Sequence, residues 1–125
     1  RQNTAEIRGS THQSVSEQVN ELYLTIAEDE RLSKLISEMM EDSNLRKNLN
    51  PADQISLDFV ILTGLRRIEN IHLQYLDGIL SNDAFDRIGM NFYRKQYAKE
   101  TWEMYKGGFD DDFVAFFETF RDEVK

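Results

Sequence analysis

Large apolar residues recur along this 125-residue chain at helical three- and four-residue spacing, and nowhere with the strict alternation of a strand. Val15, Val19, Leu22, Tyr23 and Ile26 make one stripe and predict an amphipathic helix over roughly 4–28. Its first turns hold only Ile7 as a large apolar residue, and Gly9 weakens them. Residues 1–14 therefore read as a solvated helical extension or linker, and 15–125 as a single helical-bundle domain. Asp29 can cap a second helix carrying Leu32, Leu35, Ile36, Met39 and Met40 on one face. The stretch 42–50 is polar apart from Leu45 and Leu49, a connection with room for one helical turn.

Asn50-Pro51 is a strong start signal: asparagine as N-cap, proline at the first helical position, Asp53 in the first turn. The helix it opens is expected to run to about Leu80, some 45 Å at 1.5 Å per residue. One of its sides carries Ile55, Phe59, Leu62, Leu65, Leu73, Leu76 and Leu80; the adjacent side carries Leu57, Ile61, Ile68, Tyr75 and Ile79. Only an arc through Ser56, Thr63, Arg67, Asn70 and Gln74 is polar, the pattern of a helix surrounded by others. Asp77-Gly78 closes it, and Ser81-Asn82-Asp83 caps a fourth helix that buries Phe85, Ile88 and Phe92. Tyr97, Trp102 and Tyr105 fall out of that phase, which predicts a kink at 98–101 with Thr101 capping a new turn. Gly107-Gly108 is a stop. Asp110, Asp111 and Asp112 then sit at the positive end of a last helix striped by Phe113, Phe116, Phe117, Phe120 and Val124. The fold class is all-α: an antiparallel bundle of four to five helices with a long central third helix.

Composition narrows the partners. A net charge of −8 and a pI near 4.7 leave no basic stripe for nucleic-acid phosphates or for an anionic membrane surface. With no cysteine, disulfides, thiolate catalysis and cysteine-ligated zinc are excluded, and a reducing cytoplasm is a fitting home. No apolar run reaches the roughly 18–20 residues that span a bilayer, and no signal peptide is visible. The first residue is Arg1 and not methionine, so an upstream segment, an N-terminal anchor included, is expected to have been removed.

Several residues together resemble an uncharacterised bacterial family of all-α proteins. They are Arg66-Arg67-Ile68-Glu69-Asn70, then Gln74, Gly78, a helix restart at Asp83, and Trp102 with Phe109, Phe113 and Phe117. The stretch 22–35, LYLTIAEDERLSKL, is similar to that family's long helix, acidic turn and short helix. Ile68 and Asn70 flank the glutamate where the family often has an aromatic residue. The resemblance implies fold and topology, and often an N-terminal membrane-spanning helix ahead of the soluble domain. It implies no catalytic residue and no cofactor.

One residue breaks the local rules: Glu69 is expected between Leu62, Leu65, Leu73 and Leu76, on the oily side of the third helix. Its bland reading is structural, a buried carboxylate held by Arg66, or by Arg87, Arg94, Trp102 or a tyrosine of the following helix, that fixes register between the third helix and the Arg94–Trp102 region. Its sharper reading is a ligand, because Glu69-x-x-His72 matches the element that di-iron bundles use. That motif is half-present: the other histidine, His12, has Gly9 three residues before it. Asp58 also lands on the apolar side but is expected to reach solvent near the helix start, and His72 reads as a satisfied core histidine. The aspartate triplet lacks the spacing of a calcium loop. Tyr97, Trp102 and Tyr105 with the phenylalanine stripe read as core before they read as a ligand pocket.

The functional expectation is a non-enzymatic interaction module, tethered to the inner membrane of a bacterium on its cytoplasmic side; Arg1 and Arg8 favour that face. Its partner is another protein or a second copy of itself, with no nucleic acid and no cofactor. The alternatives are a metal- or small-ligand-binding bundle centred on Glu69 and His72, and a homodimer formed through the first two helices.

Overall fold

Side-chain caps and one proline decide where the helices begin. In the computed structural model, which describes residues 17 and 20–123, helix α1 spans residues 20–27. Asp29 accepts the Leu32 N–H at 3.1 Å and opens α2, Glu30–Glu41. A single turn, α3, Leu45–Asn48, fills the polar connection and buries Leu45. Asn50 then accepts the Asp53 N–H at 2.9 Å, and Pro51 begins α4, Pro51–Leu76, about 39 Å long. The expected extension over 1–14, and the stripe positions Val15, Val19 and Val124, lie outside the described residues.

The end of α4 is earlier than periodicity suggested. Gly78 takes φ 75°, a left-handed conformation that suits glycine. The Gly78 N–H then donates to the Tyr75 carbonyl at 3.0 Å and Ile79 to Gln74 at 2.9 Å, which closes the last carbonyls by Leu76. A 3-10 turn, Asn82–Arg87, stands where a fourth α-helix was expected. It is followed by α5, Met90–Tyr93, and α6, Gln96–Tyr105. The break falls at Lys95, whose ψ of 146° is extended. The expected kink at 98–101 is thereby corrected: Thr101 lies inside α6, fully buried, and caps nothing. A 3-10 turn, Lys106–Gly108, answers the Gly-Gly stop. Asp110 then accepts the Phe113 N–H at 3.2 Å to open α7, Asp111–Asp122.

The protein is all-helical, with no strand among the described residues. Helix α4 contacts α2, α6 and the first 3-10 turn. It buries Leu57, Ile61, Leu65, Ile68 and Ile71 against Leu35 and Met39 of α2 and against Tyr97, Ala98 and Trp102 of α6. Each such side chain contributes roughly 1.5–3 kcal/mol. Trp102 anchors α7, its ring centroid 4.5 Å from Phe117 and 5.4 Å from Phe109. The side expected to carry Ile55, Phe59, Leu62, Leu65, Leu73, Leu76 and Leu80 is buried only in part: Leu65 and Leu80 are covered, but Ile55 and Phe59 face outward, Leu73 is 44% exposed and Leu76 59%. Gly64 has a packing reason, since a Cβ there would collide with the Tyr93 phenol.

Candidate functional site

Glu69 follows Ile68 by 100° around α4 and so sits at the rim of the buried face, not in the middle of it. Its carboxylate accepts Arg66 Nη1 at 3.0 Å and the Asp110 backbone N–H at 3.3 Å. Arg66 reaches the same turn, donating to the Gly108 carbonyl at 3.1 Å with its guanidinium 3.9 Å from the Phe109 ring centroid. The pair fastens α4 to the turn ahead of α7. The expected register contact with the Arg94–Trp102 region is therefore corrected. Arg94 instead closes the end of α7, donating to the Arg121 carbonyl at 2.7 Å and to that of Glu123 at 3.3 Å. Trp102 donates Nε1 to Glu118 at 2.8 Å. Gln74 supplies the carbonyl of the Gly78 turn, and Asn70 lines a surface cavity. These candidates occupy separate places and do not converge on one centre.

Among the described residues the buried carboxylate is Asp58, 3% exposed, and its expected reach to solvent is a correction. Arg46 of α3 donates to both of its oxygens at 3.2 and 3.4 Å, and to the Thr101 hydroxyl at 2.6 Å. Thr101 in turn donates to Asp58 Oδ1 at 2.8 Å. Arg46 also reaches Glu100 at 3.2 Å and lies 3.8 Å from the Tyr97 ring centroid. Burial pulls the Arg46 pKa down, but Asp58 and Glu100 outweigh it and the net shift is upward. Burial, followed by the Asp58 charge, pushes the Tyr97 phenol far above its ordinary range, so its proton stays. This cluster joins α3, α4 and α6. No periodicity signals it, because Arg46 arrives across the turn at Pro51.

His72 is 4% exposed, its ring stacked on Phe116 at 4.4 Å and tilted to Phe113 at 5.7 Å. Its Nδ1 is buried without a protein partner. Burial lowers its pKa, opposed by Asp110, Asp112 and Glu69. Among the described residues no three His, Asp or Glu side chains gather to hold a metal.

Two cavities lie along α1. One of about 540 Å³ is bounded by Glu21, Leu22, Phe59, Thr63 and Asn70; one of about 590 Å³ lies between α1, α2 and α5. They share Leu22, Val60 and Arg67. The polar arc of α4 had marked Arg67 only as a solvent-facing residue; the structure places it, half-buried, between the two.

Compared with known proteins, the chain matches no family model, no curated protein and no solved structure.

Proposed function

We propose that this chain is a non-enzymatic interaction module, a helical bundle packed antiparallel around α4, and that its partner is a second copy of itself. The carrying observation is the uncovered apolar edge of α4, where Ile55, Phe59, Leu73 and Leu76 are all exposed. The spacing along that edge is self-complementary. A two-fold axis crossing α4 between Arg67 and Ile68 sets Phe59 opposite Leu76 of the second copy and Leu62 opposite Leu73. Apolar meets apolar in both pairs.

The family resemblance supports a further element of the proposal, a tether to the cytoplasmic side of a bacterial inner membrane by a helix upstream of residue 1. Among the described residues no helix is long and apolar enough to cross a membrane. A gene without an apolar segment of about 20 residues upstream refutes the tether.

Light scattering across a concentration series tests the association. The expected result is a rise toward twice the chain mass, abolished by Phe59→Glu or Leu73→Glu, which touch exposed positions and should leave the fold intact. A chain that stays monomeric throughout, or dimers untouched by both variants, overturns the proposal.

A further inference from the structure

Arg67 is a half-buried cation with an incomplete set of partners. Its guanidinium interacts with the Tyr93 phenol, while its Nε is buried and has no protein acceptor. No ion pair links Arg67 to a carboxylate among the described residues, although the chain carries 23 acidic side chains. Leaving a charged donor unsatisfied is costly, whereas a charge-assisted hydrogen bond to an acceptor is among the stronger ones a protein makes.

The cavity of about 590 Å³ beside it lies in the middle of the range for small-molecule sites, roughly 300–1,000 Å³. Its wall is mainly apolar, from Leu22, Ile26, Ile36 and Phe92, with the hydroxyls of Ser33 and Ser37 at hand. Arg67 is the one charged residue on that wall, and no aspartate or glutamate lines it. The smaller cavity differs on this point, because Glu21 lines it. In a protein of net charge −8, an anion needs a local reason to approach: the smaller cavity sets Glu21 beside Arg66 and Arg67, whereas the larger offers Arg67 with no carboxylate on its wall. A single cation beside an apolar wall suits a single charge with a hydrocarbon tail; a polyphosphate would find one partner and no relief from the surrounding field.

Helix α1 makes entry physically reasonable. Over residues 20–27 only Leu22 and Ile26 are half-buried, and the other side chains are exposed. None of them belongs to the buried core, which is built from α2 onward. The helix can lift or slide to admit a chain without opening the contacts among α2, α4 and α6.

We propose that the cavity between α1, α2 and α5 binds a long-chain carboxylate, its head on the Arg67 guanidinium and its hydrocarbon along Leu22, Ile26, Ile36 and Phe92. The site lies apart from the exposed edge of α4, so it stands or falls independently of self-association.

Titration calorimetry of the full chain with sodium dodecanoate, held below its micelle concentration, tests this. One saturable site is expected. Dodecanol, which keeps the tail and loses the charge, should bind about tenfold more weakly or worse, the worth of one charge-assisted hydrogen bond. Arg67→Gln should weaken dodecanoate by a similar factor while leaving dodecanol unchanged. Gly89→Leu supplies a test that keeps Arg67. Gly89 lies on the cavity wall with an ordinary φ of −73°, and a Cβ built there meets nothing within 4 Å. The added bulk should therefore fold normally and block both ligands. Absence of saturable heat, equal affinity for dodecanol, or full affinity in Arg67→Gln or in Gly89→Leu overturns the proposal. So does capture of the protein by phosphatidylglycerol vesicles when dodecanoate fails to bind, which would assign Arg67 to a lipid surface.

Discussion

Asp58→Ala removes the acceptor that Arg46 and Thr101 share, and its cost can be worked from the geometry. The carboxylate is 3% exposed and accepts Arg46 at 3.2 and 3.4 Å and Thr101 at 2.8 Å. Stranding one member of a buried pair costs about 3–5 kcal/mol. Here Arg46 keeps Glu100 at 3.2 Å and the Tyr97 ring beneath it, so the lower end applies, about 3 kcal/mol. For a chain of this length that lowers Tm by about 10 °C. Urea and thermal unfolding followed by circular dichroism measure it, with coincident transitions as the check on two-state behaviour. Arg31→Ala is the comparator, because the Arg31–Asp53 pair has side-chain exposures of 49% and 24% and should contribute below about 1 kcal/mol. The double variant Arg46→Met, Asp58→Leu removes both buried charges, and should recover much of the loss because the only charged group that then loses a partner is Glu100, whose side chain is 35% exposed. If Asp58→Ala costs no more than Arg31→Ala, or if the double variant is no better than the single, the buried clasp is not what joins α3, α4 and α6.

Two further outcomes follow from the same contacts. His72 has a folded-state pKa below its ordinary value, so protonation favours the unfolded chain: its contribution is complete above the unfolded pKa, about 6.5, and is lost as pH falls through that range. Tm measured from pH 7.5 down to 5 should therefore fall more steeply in the wild type than in His72→Phe, and parallel curves would contradict the reading. Gly64→Ala should gain up to about 1 kcal/mol of helix propensity but lose more, about 1–3 kcal/mol, to the Tyr93 collision. Unfolding would show a net loss that Tyr93→Phe partly relieves, and a stabilised Gly64→Ala would sink the argument.

The candidate site was only partly legible in the chain. Glu69, Arg66 and Asn70 were marked by a periodicity conflict and a resemblance, and the structure gives the first two a fastening role at the Gly108–Asp110 turn. Asp58 was noticed for its phase and then assigned to solvent, because its partners could not be seen. One lies 12 residues before it and the other 43 after, and no local pattern links them. Arg67 looked like any polar residue on a wet face, since nothing in the order of residues says that α1 would cover it.

The starts and stops of helices were written locally. Asn50-Pro51, Asp29, Asp110 and the Gly78 turn act through hydrogen bonds and dihedral angles within a few residues, so the chain alone determines them. Which side of α4 is buried was not. Two adjacent apolar stripes, one through Leu57, Ile61 and Ile68 and one through Ile55, Phe59 and Leu73, satisfy the same period. Only the arrival of α2 and α6 on the first stripe, driven by the area they could bury together, left the second in water.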